Sequence, residues 1–400
     1  MSLKTDFDTP DNVLKGILDG SQAFAGPGTV QFDITNRCNN NCLCCWNNSP
    51  LLGEASPERK KELAYELPVG LVKKTIKELK EMGTQTLFFA GGGEPFIHPH
   101  IIEILEYAKE SRMRVFINTN FTLIDSKTAK KLVELKIDHI HVSLLAGTPQ
   151  TYQLIHSNKT EETFQRISDI LEYVAYLKKE KNQHLYTPLP HINLYYVIFN
   201  KNYQEIDKMV DLAIKVKADS VEFTPIDVIP GKTDSLLLDS DQVQRIVRAV
   251  EEQSLRLEKY NVNEPVKTYI TQKDSFIKRI SSAAALEGKY ESRTITAQPC
   301  YVGWAFARIN ANGDVNPCLK AHRISVGNIY KKSFKKIWNS SEEQLFRKKS
   351  FILDFQDPYF ENIGNDPNCS FGCLKSCDNI QINIDMDNRY REILKDYGRI

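Results

Sequence analysis

The nine cysteines of this chain fall into two tight groups, Cys38, Cys42, Cys44 and Cys45 near the start and Cys300, Cys318, Cys369, Cys373 and Cys377 near the end, with none between. An odd number in two clusters is a poor disulfide framework. Free thiols also serve as small buried hydrophobes, but short spacings among polar residues favour metal ligation. The rest of the composition narrows the class. In 400 residues, 52 Lys and Arg stand against 51 Asp and Glu, which leaves no strong positive field for nucleic acid. Hydrophobic residues make up 41% and charged residues 26%, inside the globular range. Residues 1–12 carry acids and a proline where an export signal would carry basic and then apolar residues. The longest apolar runs fall far short of the roughly 20 residues that span a bilayer. A folded, soluble chain without membrane segments is expected.

From Thr29 onward, short apolar runs rich in β-branched and aromatic residues alternate with helical patterns. The runs are Val30 to Ile34, Thr86 to Ala90, Val115 to Thr119, His139 to Leu144, Asn193 to Phe199 and Ser220 to Thr224. Between them Val72, Ile76, Leu79 and Met82, then Ile101, Leu105 and Ala108, recur at helical spacing. Strand and helix alternating about six times imply an α/β fold with a parallel sheet, either a barrel or a doubly wound sheet. In both, chemistry sits at the C-terminal ends of the strands. After Thr224 the alternation fades into a long helical pattern from about Ser240 to Tyr260, followed by a polar stretch and the second cysteine group.

Cys38, Cys42 and Cys45 directly follow the first predicted strand, in Thr35-Asn36-Arg37-Cys38-Asn39-Asn40-Asn41-Cys42-Leu43-Cys44-Cys45. Three thiolates on one loop can hold three irons of a cubane cluster and leave the fourth open. A structural zinc, the alternative, wants four ligands. The Cys-x3-Cys-x2-Cys spacing resembles the radical S-adenosylmethionine (SAM) superfamily, and Gly91-Gly92-Gly93-Glu94-Pro95 after the second strand matches that family's Gly-Gly-Glu-Pro segment.

The resemblance implies a partial (βα)6 TIM-like barrel and a [4Fe-4S] cluster whose open iron binds the amino and carboxylate groups of SAM. Backbone near Gly91, Gly92, Gly93 and Glu94 would contact the amino group. Thr119-Asn120 stands where the family often has Thr-Asn-Gly, with Phe121 replacing the glycine; Asn118 and Asn120 are candidate cofactor contacts there, and Ser143 matches a polar residue after the fourth strand. The usual place of an adenine-stacking aromatic, just before the third cysteine, is held by Cys44, and the aromatic, Trp46, comes one residue after Cys45. His156 is the nearest match to an arginine of the family.

In the tail, Cys300 and Cys318 flank the turn Asn312-Gly313-Asp314, a strong hairpin signal that can bring them together. Cys369, Cys373 and Cys377 recur every four residues, close enough to share a site. The Gly313-x4-Cys318 spacing, Gly327-Asn328-Ile329 and Ile337-Trp338-Asn339 resemble the auxiliary-cluster extensions called SPASM or twitch. Five cysteines support one auxiliary [4Fe-4S] cluster. Cys300 and Cys318 are the firmer pair, joined by two of the other three, and zinc remains the alternative. The implied organisation is an N-terminal extension (1–28), a radical SAM barrel (29–235), a helical, substrate-shaping connection (236–298) and a smaller α+β auxiliary-cluster domain (299–400).

The resemblance implies reductive cleavage of SAM to a 5′-deoxyadenosyl radical, which removes hydrogen from a substrate carbon. A one-cluster tail most resembles dehydrogenases of small polar, sugar- or aminocyclitol-like substrates, so dehydrogenation or epimerisation is the first expectation. A maturase of ribosomally made peptides is the alternative, disfavoured by an N-terminal extension too short for a leader-recognition domain. A non-catalytic iron–sulfur or zinc protein is a further alternative that leaves the glycine turn without a purpose. Glu222 and Asp227, with Asn193 and Tyr195, are expected at the cavity, and Cys44 is a candidate hydrogen donor. The expected partners are a small molecule or a peptide and a one-electron reductant such as flavodoxin or ferredoxin. No nucleic acid is expected. Oxygen-sensitive clusters place the chain in the cytoplasm.

Overall fold

The structure is a computed structural model that describes residues 11–181, 188–291, 295, 297–354, 356–363 and 372–400. The chain divides into two units: one holds residues 32–69 and 87–290, the other 1–31, 70–86 and 291–400.

The first unit is built on strands β1 (Thr29–Asp33, ending in this unit), β2 (Thr86–Ala90), β3 (Arg114–Thr119), β4 (His139–Ser143), β5 (His191–Ile198), β6 (Ser220–Pro225) and β7 (Tyr269–Thr271), hydrogen-bonded in chain order. The pairs from β3 to β7 are parallel. Six of the seven strands stand where the apolar runs predict them. The short β7 was not legible, because three residues with one outer neighbour carry too little periodicity. Each connection contains a helix, and in three of them a cap explains where it begins: Asp125, Thr148 and Asp239 each accept a backbone N–H of the first helical turn. β3, β4 and β6 alternate buried and half-exposed residues. Ile117, Ile140, Leu194 and Val221 form the buried face, while Asn118, His141, Asn193 and Glu222 occupy the other.

The second unit contains strands β8 (Phe306–Ile309), β9 (Asp314–Asn316) and β10 (Gly327–Asn328), paired antiparallel. The Asn310 to Asp314 turn closes as the sequence predicts, with Gly313 at φ +84° and its N–H donated to the Asn310 carbonyl at 2.8 Å. The N-terminal segment belongs here: Trp304 Nε1 donates to the Gln22 carbonyl at 2.9 Å and Trp338 Nε1 to the Ala25 carbonyl at 2.8 Å. Arg347 has no exposure and binds this unit together. Its guanidinium donates to the carbonyls of Gly303 (2.8 Å), Ser21 (3.0 Å) and Trp338 (2.6 Å) and to Asn339 Oδ1 (3.0 Å).

Among the described residues no helix is long and apolar enough to cross a membrane.

Candidate active site

The cysteine loop leaves β1 and is fixed by its asparagines. Asn36 N–H donates to the Tyr65 carbonyl at 2.9 Å and Leu43 N–H to the Ile155 carbonyl at 3.0 Å. Asn158 grips both sides of the loop, its Oδ1 accepting from Asn41 N–H at 3.0 Å and its Nδ2 donating to the Asn39 carbonyl at 2.9 Å. Asn39 Nδ2 donates to Thr122 Oγ1 at 2.7 Å, and Asn120 Nδ2 to Asn39 Oδ1 at 3.0 Å. Side-chain amides suit this work because each carries donor and acceptor and so satisfies irregular backbone.

Cys38, Cys42, Cys44 and Cys45 are all free and half-buried. Burial pushes the Cys38 thiol up to about 11 and Cys44 to about 12, and Cys42 well above its ordinary range. Neighbouring thiolates raise Cys38 and Cys42 further. Thiols gathered this way ionise only when a cation takes the charge, which is the chemistry of a metal or cluster donor set. Backbone N–H groups already face the sulfurs: Asn40 N–H lies 3.5 Å from Cys38 Sγ, and Asn47 and Asn48 N–H each 3.4 Å from Cys45 Sγ. Such donors stabilise ligated thiolates.

The glycine turn packs onto this loop. Glu94 N–H donates to the Arg37 carbonyl at 2.9 Å, and Asn47 Nδ2 donates to the Gly92 carbonyl at 2.8 Å. A Cβ on Gly93 would stand 2.1 Å from Arg37 O, and one on Gly92 2.2 Å from Asn36 Oδ1. The glycines are therefore required by close approach, and Gly91 also by its φ of +130°. We predict that Gly93→Ala weakens SAM cleavage by about 10- to 100-fold, from roughly 1–3 kcal/mol of overpacking. The check is 5′-deoxyadenosine formed per minute by the anaerobically reduced protein.

Glu94 is buried, and its carboxylate accepts from Asn120 N–H and Thr119 Oγ1, each at 2.7 Å, and from Phe96 N–H at 3.1 Å. It ties the ends of β2 and β3 together; burial pushes it up to about 7. Phe121 takes the place of the family glycine and keeps a left-handed φ of 62°. Trp46 is half-buried beside Cys45. His156 is buried and stacked on Tyr152 with ring centroids 4.1 Å apart, and its backbone bridges to Cys42. Burial holds its imidazole down near 4, so it stands neutral where the family has a cationic arginine. Its Nε2 and both side-chain polar atoms of Asn40 are buried without hydrogen-bond partners, open valences beside the loop that a ligand would fill. Ser143 ends β4 opposite Tyr195 of β5. Glu222 accepts from Asn193 Nδ2 at 3.1 Å on the polar face of the sheet, whereas Asp227 lies past the end of β6 and nearer Tyr290. Sequence reasoning missed Asn158, His139, His141 and His191.

In the second unit Cys300, Cys318, Cys373 and Cys377 line one pocket. Cys369 lies outside the described residues. Burial pushes Cys318 up to about 12 and the other three above their ordinary range. Asn383 Nδ2 faces Cys300 Sγ at 3.6 Å. A cubane takes one thiolate per iron, and these thiols, four lining the tail pocket and three at the loop beside the glycine turn, are donor sets of that chemistry.

Residues 32–213 match the family model of the radical SAM superfamily, and residues 300–373 that of an iron–sulfur cluster-binding domain, SPASM. The AdoMet-dependent heme synthase of Methanosarcina barkeri (strain Fusaro / DSM 804) is 25% identical over 330 residues, 80% of this chain and 84% of that protein. The PqqA peptide cyclase of Granulibacter bethesdensis (strain ATCC BAA-1260 / CGDNIH1) is 25% identical over 300 residues, 73% of this chain and 68% of that protein. Matched stretches span from 26% to 84% of the curated relatives' lengths. Among solved structures, Streptococcus suis SuiB bound to precursor peptide SuiA shares the fold at a TM-score of 0.58 and 17% identity, over 88% of this chain and 71% of that one. With two family models matched and both thiol sets in place, the chain belongs to the radical SAM superfamily as an enzyme with a C-terminal SPASM domain, using a SAM-binding [4Fe-4S] cluster and auxiliary iron–sulfur binding in its tail.

Proposed function

We propose that this enzyme modifies a side chain of a peptide, rather than the small sugar-like alcohol that the tail's cysteine count suggests. The observation that carries the reading is the match to a protein named a peptide cyclase over 73% of this chain and 68% of that protein. The fold shared with a peptide-bound structure is in keeping with it. In this reading Cys38, Cys42 and Cys45 hold the SAM-binding cluster, and Cys300, Cys318, Cys373 and Cys377 hold one auxiliary cluster. When bound, the first cluster with SAM supplies a 5′-deoxyadenosyl radical that takes hydrogen from carbon.

The chain's own residues position and shield. The turn from Gly91 to Gly93 offers bare backbone next to the thiols, and Glu94 holds that turn to β3 through Thr119 and Asn120. Asn40 and His156 offer uncharged, unpartnered hydrogen-bonding atoms beside the thiol loop. Trp46 supplies an aromatic face for the adenine. Cys44 lies one residue from Cys45 with its thiol protonated at neutral pH, as a hydrogen donor requires. A flavodoxin or ferredoxin would deliver single electrons.

A tetrapyrrole is the second reading, favoured by the match that covers 84% of a heme synthase. The reduced holoenzyme is to be given, in parallel, short peptides encoded beside its gene and an iron porphyrin. We expect 5′-deoxyadenosine coupled to the loss of two hydrogens from a peptide; coupling to the porphyrin alone would overturn the proposal.

A further inference from the structure

The polar face of β3 to β6 departs from what a βα barrel puts inside. Such interiors are filled by layers of branched aliphatic residues. Here the register sets Asn118 beside His141, His141 beside Asn193, and Tyr195 beside Glu222. Polar groups placed there cost free energy unless they are hydrogen-bonded, and they form a connected chain. Asn193 Nδ2 donates to Glu222 Oε2 at 3.1 Å and faces His141 Nδ1 at 2.9 Å, while Asn193 Oδ1 accepts from Ser220 Oγ at 2.8 Å. His191 Nε2 lies 2.9 Å from Ser220 Oγ.

The direction of each bond follows from what each group can do. A carboxylate only accepts, so the Asn193 amide must turn its nitrogen toward Glu222. The same nitrogen then donates to His141 Nδ1, which fixes the neutral His141 ring with its proton on Nε2. Burial keeps that ring neutral, holding it down near 4, and pushes Glu222 upward. Among His141, Asn193, Glu222 and Asn118, what remains for a ligand is one ring donor, His141 Nε2–H, and acceptors on Glu222 Oε1 and on Asn118 Oδ1, the last buried without a partner. Arg279 acts on Glu222 as a counter-charge, so the carboxylate is already balanced and a charged ligand finds no free opposite charge. An ammonium would meet the His141 donor. A group that both accepts and donates without charge matches all three.

We propose that this polar face binds an uncharged carboxamide side chain of the substrate, with His141 donating to its carbonyl and Glu222 accepting from its N–H. The inference rests on the peptide reading and makes it narrower.

The test measures saturation-transfer NMR between the reconstituted chain and three probes: acetyl-Gly-Gln-Gly-amide, acetyl-Gly-Glu-Gly-amide and acetyl-Gly-Lys-Gly-amide. The Gln probe is expected to bind at least fivefold more tightly than either charged one. That preference should vanish in His141→Phe and in Asn193→Leu, each compared at equal thermal stability. Because those variants alter buried positions, a second measurement uses the unaltered chain: 15N spectra of labelled histidine should show His141 protonated on Nε2 alone between pH 6 and 8. Equal binding of charged and uncharged probes, or a His141 proton on Nδ1, overturns the inference and leaves the peptide reading standing. Binding of an iron porphyrin in place of every peptide overturns both.

Discussion

Replacing Cys38, Cys42 or Cys45 by Ala is expected to abolish SAM cleavage, a loss of at least about a thousandfold, equal to roughly 4 kcal/mol of barrier. Iron bound after anaerobic reconstitution should fall by about four atoms per chain in each variant, the content of one cubane. The effect is that large because two thiolates cannot hold three corners, and a buried thiol that loses its metal reverts to the protonated form that burial favours. Cys44→Ser supplies the contrast. If Cys44 is no ligand, its variant keeps the full iron content, and any defect appears as altered product. Iron loss in Cys44→Ser with retention in Cys45→Ala would shift the ligand register by one residue. The four tail cysteines should behave independently, Cys318→Ala removing about four irons while leaving uncoupled SAM cleavage in place.

The second large effect concerns stability. Arg347→Leu should cost about 3–5 kcal/mol, as removal of one partner from a buried ion pair does. Glu343 and Arg347 are both buried, 3.7 Å apart, and neither oxygen of Glu343 has a hydrogen-bond partner. The substitution also strands the carbonyls of Ser21, Gly303 and Trp338. Guanidinium unfolding followed by tryptophan fluorescence reads this directly, because Trp304 and Trp338 lie in the same unit.

The loss should depend on pH with a definite sign. Burial pushes Glu343 up to about 7, so its protonation favours the folded state below the ordinary carboxylate range, and that support is lost as pH rises toward 7. Arg347 is the influence that holds it down. Without the guanidinium the carboxyl stays protonated to higher pH, so the variant's deficit should widen between about pH 7 and 9. A double variant, Glu343→Met with Arg347→Leu, should recover the part owed to the stranded charge and flatten that dependence. It should not recover the part owed to orphaned carbonyls. A deficit that stays constant with pH would show that the carbonyl contacts alone carry the cost.

Much of the site was legible because its chemistry is local. Cys38 to Cys45 and Gly91 to Pro95 are contiguous segments whose spacing states their purpose, and the six main strands announce themselves by runs of apolar residues. What escaped was set by register and by distance along the chain. Asn158 reads as one polar residue in a loop, and only the fold brings it to Asn39 and Asn41, over a hundred positions earlier. The polar row of His141, Asn193 and Glu222 was half visible: alternation in His139-Ile140-His141-Val142-Ser143 marks two faces, but no single strand shows that its polar face meets other polar faces. The grouping of residues 12–31 with the tail rests on Arg347, Trp304 and Trp338 reaching backbone carbonyls, which carry no sequence signal.

That grouping bears on how the protein is made. The second unit combines residues before position 32 with residues after 290 and the segment 70–86 between them, which holds most of the helix Val69–Glu81. Residues 12–31 leave the ribosome with their Trp and Arg partners still untranslated, so they must wait until Arg347 has been added. The unit around the SAM-binding loop has all its residues translated by position 290, while the tail pocket is complete only once Cys377 has emerged.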